Sequence, residues 1–155
     1  YINMNGVYDV YDYAYTMFQL DGGTKQTGTA SGKILLVPEK ETVKAGETFT
    51  ITVMAEEAEN INAFGKVLDY DPAKLEFVSV SREDAVASME DLTVNKVYGD
   101  GTAYVNLAFA NRGDKPLYNG SGQLAVITMK ALADVQPKTD LNLDDVLAIG
   151  PDLIK

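Results

Sequence analysis

The sequence predicts a mainly β chain, an antiparallel sandwich of about nine short strands preceded by a short loop and helix. From residue 33 onward, apolar and polar residues alternate over short stretches, as they do in strands that bury one face. Glycine or proline separates these stretches at near-regular spacing. Residues 1–23 differ, because their apolar residues recur at three-and-four spacing after residue 9, which is typical of a helix.

The clearest pair of strands lies on either side of Asp71-Pro72. Proline fixes its own φ near the value of a turn corner and disfavours helix at the preceding residue, so we expect the chain to reverse there. A second strand then follows over residues 75–80. On the first strand, one phase of the two-residue period holds the residues that we expect to point inward: Phe64, Leu68 and Tyr70.

The remaining strands follow from the same alternation. They are predicted over residues 34–37, 49–53, 92–98, 104–110, 123–132 and 141–149. Glycine-bearing turns separate them, and residues 111–122 form a long polar loop. On two of these strands, alternate residues are predicted to be core: Val105, Leu107 and Phe109 on one, Ala125, Ile127 and Met129 on the other.

Composition excludes several classes of function. A chain of 155 residues can bury a full core, and it contains no cysteine and no histidine. Disulfides, thiolate metal sites, imidazole catalysis and His-ligated zinc are therefore excluded. The formal net charge of −10 repels phosphate backbones and anionic membranes, so we expect no nucleic-acid partner and no membrane partner. Adjacent carboxylates such as Asp144-Asp145 point to opposite faces of a strand, so we expect no catalytic residue.

The first twelve residues fit the ligand spacing of an EF-hand calcium loop. With Gly6 at the sixth position, where the loop bends sharply, five positions carry suitable oxygen donors: Asn3, Asn5, the carbonyl of Val7, Asp9 and Asp12. The first position is Tyr1, where a carboxylate is expected, so the site should bind calcium weakly. The alternative is an Asx-rich turn in front of a helix, without a metal.

A helix is predicted directly after this loop. Its apolar stripe consists of Val10, Tyr13, Ala14, Met17 and Leu20, and Asp21-Gly22-Gly23 ends it. A calcium loop with an exiting helix and no entering helix resembles one repeat of a dockerin. Dockerins carry two such repeats, so we expect Tyr1 to lie inside a longer parent sequence. The small, polar residues 24–32 are predicted to be a linker between this unit (1–23) and the sandwich (33–155).

The sandwich itself resembles a cohesin over residues 33–149. The resemblance is carried by Val-x-Ala-Gly-Glu-x-Phe-Thr-Ile-x-Val at 43–53, Ile-Asn-Ala-Phe at 61–64, Leu-x-Tyr-Asp-Pro-x-x-Leu-Glu-Phe-x-Ser-Val at 68–80 and Gly-Gln-Leu-Ala-Val-Ile-x-Met-Lys-Ala at 122–131. It implies a nine-stranded jelly-roll sandwich that binds dockerins and has no catalytic activity of its own.

The resemblance also implies one flat sheet face that binds the partner. By the resemblance, this face includes the strand before Tyr-Asp-Pro and the strand after the late glycine, Gly122. The outward residues on these strands and on 104–110 then form the predicted partner-binding set: Ala63, Gly65, Val67, Asn106, Ala108, Leu124, Val126 and Thr128. In the best-known cellulosomal cohesins the places of Ala63 and Gly65 are polar, so we expect this chain not to recognise standard dockerins. The alternative is that helices or loops of this same chain cover this face, and the most obvious candidate is the helix at 10–20.

By this resemblance, the chain is a non-catalytic interaction module of a larger secreted or cell-surface bacterial enzyme that acts on carbohydrate. The enzyme would be a glycoside hydrolase, and carbohydrate would be bound through that parent. The second hypothesis is a carbohydrate-binding module. Its sugar platform would be tyrosines of the sandwich, because the chain has no tryptophan: Tyr98, Tyr104 and Tyr118. These tyrosines on one exposed face would favour sugar, whereas a buried or scattered arrangement favours a protein partner.

Overall fold

The computed structural model describes residues 8–20 and 26–153. One helix and two antiparallel sheets make up most of this part of the chain. The elements are α1 (Val10–Leu20), β1 (Ser31–Pro38), β2 (Thr48–Ile61), β3 (Ala63–Tyr70), β4 (Leu75–Arg82), a 3-10 turn (Asp84–Val86), β5 (Glu90–Asp91), β6 (Val94–Val97), β7 (Ala103–Ala110), β8 (Tyr118–Ala131), α2 (Pro137–Asp140) and β9 (Leu147–Ile149). The predicted fold class, a mainly β sandwich of nine antiparallel strands, is confirmed.

The strands divide into a four-stranded and a five-stranded sheet. The four-stranded sheet has the order β1-β2-β8-β4, and the five-stranded sheet has the order β5-β7-β3-β9, with β6 also paired to β7. The chain changes sheets between β2 and β3 and again between β3 and β4, because β2 and β4 belong to the first sheet and β3 to the second. The predicted turn at Asp71 is present: its carbonyl accepts the Lys74 and Leu75 N–H groups at 2.9 and 3.0 Å. This turn carries the chain from one sheet to the other.

The core lies between the two sheets and contains the residues that the alternation predicts. Phe64 and Phe109 stack across β3 and β7 with their ring centroids 5.2 Å apart. Leu107 from the same sheet and Ile127 from the other belong to the same buried cluster. The predicted inward residues of β3, β7 and β8 are all buried in it: Phe64, Leu68, Tyr70, Val105, Leu107, Phe109, Ala125, Ile127 and Met129.

Several strand boundaries differ from the predicted ones. The strand predicted over 92–98 is shortened to β6 (Val94–Val97), and a separate two-residue strand, β5, precedes it. Both pair with β7. The strand predicted over 141–149 is shortened to Leu147–Ile149, since Val146 N–H donates to Ile34 of β1 in the other sheet instead of extending the ladder. Within the described ranges, no helix has the length and apolar character needed to cross a membrane.

Candidate protein-binding face

Five of the predicted partner-binding residues lie together on one sheet. β3 and β7 pair along their whole length, with Gly65 opposite Ala108 and Val67 opposite Asn106. Ala63 stands opposite Ala110 of β7 on one side and Ile149 of β9 on the other. Because side chains alternate between the two faces of a strand, these residues share the face opposite the core residues of β3. We call this face, on β9, β3 and β7, the small-residue face.

The other three predicted residues do not belong to this face, so the prediction of one common face is wrong. Leu124, Val126 and Thr128 lie on β8, which pairs with β2 and β4 in the four-stranded sheet. The resemblance implied that β8 shares the binding face. The two-residue period could not correct this, because it separates inward from outward residues but does not specify the sheet.

Leu124 is moreover buried in the core, with none of its surface exposed. The pairing register shifts at this point, since Val53 pairs with Ala125 and Met54 with Gln123. An extra residue in a ladder breaks the alternation of side chains, which explains why two consecutive residues of β8 are buried. Val126 and Thr128 are half-buried and lie opposite Thr52 and Thr50.

Helix α1 lies on the small-residue face. Val10 and Ala14 are 1% and 7% exposed and form a second buried cluster, separate from the sandwich core. The sheet side of this cluster consists of Ala63, Ala108, Ala110 and Ile149. The alternative raised from the sequence, that the helix at 10–20 covers the face, is therefore confirmed.

Gly65 allows this close approach. A Cβ atom at this position would lie 2.8 Å from the Cβ of Val10 and 2.2 Å from the carbonyl oxygen of Leu107. Both distances are shorter than a carbon atom can have to a non-bonded neighbour, so a side chain here would push the helix outward and distort the sheet.

One polar contact joins the start of the helical segment to the sheet. Asn106 Nδ2 donates to the carbonyl oxygen of Tyr8 at 2.6 Å, and Asn106 is only 3% exposed. Its Oδ1 atom is also buried, and no described group hydrogen-bonds to it. A buried carbonyl oxygen without a partner loses hydration on burial, so this contact stabilises docking less than a fully satisfied amide would.

A reciprocal pair of side-chain hydrogen bonds defines where α1 begins. Asp9 Oδ1 accepts the backbone N–H groups of Tyr11 and Asp12 at 3.0 and 3.2 Å. Asp12 Oδ2 in turn accepts the backbone N–H of Asp9 at 3.0 Å. This is a capping box with aspartate in both places, and it satisfies three backbone donors at the helix N-terminus.

The capping box bears on the predicted calcium ligands. In an EF-hand loop the exiting helix starts after the ninth position, and α1 starts after Asp9, which occupies that position. Asp12, at the twelfth position, is fully buried. Both carboxylates accept backbone N–H groups at the start of the helix, an arrangement that the alternative, an Asx-rich turn in front of a helix, also predicts. Asn3, Asn5 and Val7 lie outside the described residues, and no cluster of three or more acidic side chains able to hold a metal occurs within residues 8–20 and 26–153.

Of the three tyrosines of the carbohydrate hypothesis, Tyr98 and Tyr104 lie next to each other, and Tyr118 lies apart from them. Tyr98 is 44% exposed, and its ring centroid lies 6.1 Å from that of Tyr104 on β7. Tyr118 is 9% exposed and starts β8 in the other sheet. The pKa of Tyr104 is raised by its hydrogen bond with Tyr98, by burial and by the nearby Tyr98 and Tyr13. The three tyrosines therefore do not share one exposed face, and such an arrangement favours a protein partner over sugar.

Two residues of the small-residue face were not predicted from the sequence. Ala110 continues the alternation of Asn106 and Ala108, so its phase was available as a signal. Ile149 gave no such signal, because only the pairing of β9 with Ala63 places it on the small-residue face. Both belong to the cluster that contacts α1.

Comparison with known proteins agrees with this fold. The sequence profile of the cohesin domain matches residues 34–153. A type II cohesin domain from the cellulosome of Acetivibrio cellulolyticus is similar at 17% identity and a TM-score of 0.51, covering 80% of this chain and 98% of that chain.

Two further solved structures are similar at comparable levels. In a type II cohesin-X-dockerin complex from the same organism, the match has 16% identity and a TM-score of 0.52, covering 66% of this chain and 72% of that chain. Type II cohesin A11 from Bacteroides cellulosolvens matches at 13% identity and a TM-score of 0.52, covering 69% and 73%. No curated protein sequence is significantly similar. With a matching profile over most of its length, the chain belongs to the cohesin family, whose domains are non-catalytic interaction modules.

Proposed function

We propose that this chain binds a dockerin-type partner through the small-residue face. The observation that carries the proposal is that this face already accepts an amphipathic helix, with Val10 and Ala14 buried against alanines of β3 and β7. A related cohesin of the same fold was solved in a complex that includes a dockerin. The partner is therefore expected to present a helix with small apolar residues.

The chemistry of the face suits such a partner. Ala63, Ala108 and Ala110 have no exposed surface while α1 covers them, so a sheet without α1 would present a flat apolar strip. Contiguous apolar surface of this kind marks interaction sites on soluble proteins, and its burial drives association. Val67, half-buried beside the start of α1, extends the strip along β3.

We also propose that residues 1–23 are a dockerin-like calcium hand and that the module belongs to a secreted or cell-surface bacterial enzyme acting on carbohydrate. The capping box of Asp9 and Asp12 supports the hand, since it starts a helix directly after the ninth place of the predicted loop. The cellulosomal origin of a related domain supports the wider setting. Asn3, Asn5 and the carbonyl of Val7 would complete the ligand set, and bound calcium would neutralise these carboxylates and hold the loop.

Calcium titration of the full chain tests the hand. We expect calcium to raise the melting temperature in buffer that has been cleared of divalent ions, because a ligand that binds the folded state stabilises it. Asp12→Asn should weaken this response, since it removes one of the two carboxylates at the site, whereas Asp100→Asn on the exposed turn after β6 should leave it unchanged. No calcium response in the wild-type chain would contradict the proposal.

Titration calorimetry of the full chain against a panel of dockerin modules, with and without calcium, tests the partner and the face. The matched variants are Val67→Asp, on the small-residue face, and Val126→Asp, on the outer face of the other sheet. We expect Val67→Asp to weaken binding at least about 10-fold, because it buries a charge in the interface, and Val126→Asp to change it little. The reverse pattern would place the partner on the four-stranded sheet. No dockerin binding, together with a positive glycan array, would favour a carbohydrate-binding module instead.

A further inference from the structure

The small-residue face has an occupant that belongs to the chain itself. α1 packs on β3, β7 and β9, the strands that the proposed partner would contact. Two helices cannot lie on the same strip of alanines at once. The position of α1 therefore bears directly on how the module can bind anything at this face.

The contacts of α1 are separate from those that hold the sandwich together. The core cluster between the sheets contains no residue of α1. The second cluster includes Val10 and Ala14 of α1, and Tyr11, Tyr13 and Met17 pack against it while partly buried. A unit with its own small cluster can detach without opening the main core. Residues 21–30, which include Gly28, join it to β1 and keep it attached when it leaves.

The docked state is held by a limited set of contacts. Val10 and Ala14 are the apolar residues of α1 that are buried, while Leu20 at its end is 69% exposed. The polar contact leaves Asn106 Oδ1 buried without a partner among the described groups. A helix of 11 residues is marginal by itself in water, so α1 draws its stability from the capping box and from this face.

We propose that α1 is a tethered ligand of the small-residue face, so that the module rests in a self-occupied state and a partner helix must displace α1 to bind. This inference rests on the proposed function for the identity of the partner, but the self-occupied state can be tested without one. A short tether gives a local concentration in the millimolar range, which lets weak contacts keep the face filled.

Self-occupation has a quantitative consequence. An external helix binds only the fraction of molecules whose face is open, so its apparent affinity falls by the ratio of closed to open molecules. If closed molecules outnumber open ones by about 10 to 1, releasing α1 raises the affinity for an external helix by about 10-fold. The same factor applies to any helix that uses this face.

The experiment uses a synthetic, fluorescently labelled peptide of residues 1–23 as the probe and the full chain as its receptor. Ala14→Asp places a charge on the buried side of α1 and should release it, which hydrogen exchange of residues 10–20 verifies. Gln19→Asp adds the same charge at an exposed position of α1 and is the matched control. Val10→Asp is an independent second release variant.

We expect the peptide to bind Ala14→Asp and Val10→Asp at least about 10-fold more tightly than it binds the wild-type chain or Gln19→Asp. Equal binding to all four chains, or no binding to chains whose α1 exchanges freely, would overturn the proposal. If α1 remained as protected from hydrogen exchange in both release variants as in the wild-type chain, the proposal would be overturned as well. Loss of the β-sheet circular dichroism signal in both variants would show that α1 is part of the sandwich and not a ligand of it.

The dockerin titration separates this inference from the proposed function. If both hold, Ala14→Asp gains about 10-fold in affinity for the dockerin that binds the wild-type chain. If the peptide binds as expected and no dockerin binds either chain, the self-occupied face stands and the proposed partner is wrong.

Discussion

Asn106 connects the chemistry of the small-residue face to the position of the helix. Its amide nitrogen holds the carbonyl of Tyr8, just ahead of the capping residue Asp9. An apolar residue at this position would leave the Tyr8 carbonyl without this donor, whereas asparagine fixes where the segment crosses β7. Gly65 acts beside it by leaving the space that Val10 fills. Two residues of the face thus position the start of α1 by complementary means.

Replacing Asn106 tests this role directly. Asn106→Asp removes the donor and sets a carboxylate against the Tyr8 carbonyl, so we expect the docking of α1 to weaken by about 1 to 3 kcal/mol, the range for a buried polar group that loses its partner. Hydrogen exchange of residues 10–20 should accelerate by at least about fivefold. Asn119→Asp is the control, because Asn119 is exposed, its Oδ1 accepts the Asn60 N–H at 2.9 Å, and its Nδ2 donates only at 3.5 Å, to the carbonyl of Leu117. Equal exchange rates in both variants would contradict the assigned role.

At the scale of the element, α1 depends on its N-terminal capping box. The first N–H groups of a helix have no partner within it, and here Asp9 and Asp12 provide acceptors. Tyr13 follows on the same helix, and its pKa is raised by burial and by the nearby Tyr8 and Asp12. The neutral phenol is therefore the favoured form where the helix meets the sheet.

Two substitutions of Asp9 separate capping from calcium binding. Asparagine caps a helix about as well as aspartate, whereas alanine costs about 1 kcal/mol. In buffer containing a calcium chelator, we expect Asp9→Ala to accelerate exchange within α1 by about fivefold and Asp9→Asn to leave it near the wild-type rate. Similar acceleration in both variants would mean that the charge of Asp9, and not its cap, stabilises the helix.

The sequence predicted which residues of a strand face the core, but not which strands pair with each other. The two-residue period correctly assigned Phe64, Leu107 and Ile127 to the core, because burial of one face leaves its mark in each strand separately. It could not place β8 in the other sheet, since pairing with β2 and β4 is decided by contacts distant in sequence. The burial of Leu124 was equally inaccessible, because it depends on a register shift against β2.

At the scale of the whole molecule, the sandwich has two outer faces, and they differ in whether α1 covers them. The face of the four-stranded sheet carries half-buried Val126 and Thr128, whereas the small-residue face is covered by α1. The sequence indicated that small residues line one face and that the preceding helix is amphipathic. Only the structure brings the two together. The protein is thus a cohesin-family sandwich with a helix of its own seated on the face proposed for its partner.

The measurement that tests this account most directly is hydrogen exchange of α1 in the full chain, alone and saturated with the dockerin module that binds it best. The account predicts that residues 10–20 lose their protection in the complex, while amides of β3 and β7 remain protected, because the partner takes the place of α1 on the face. Protection of α1 that is unchanged in the saturated complex would contradict the account, since the partner and the helix would then occupy different faces.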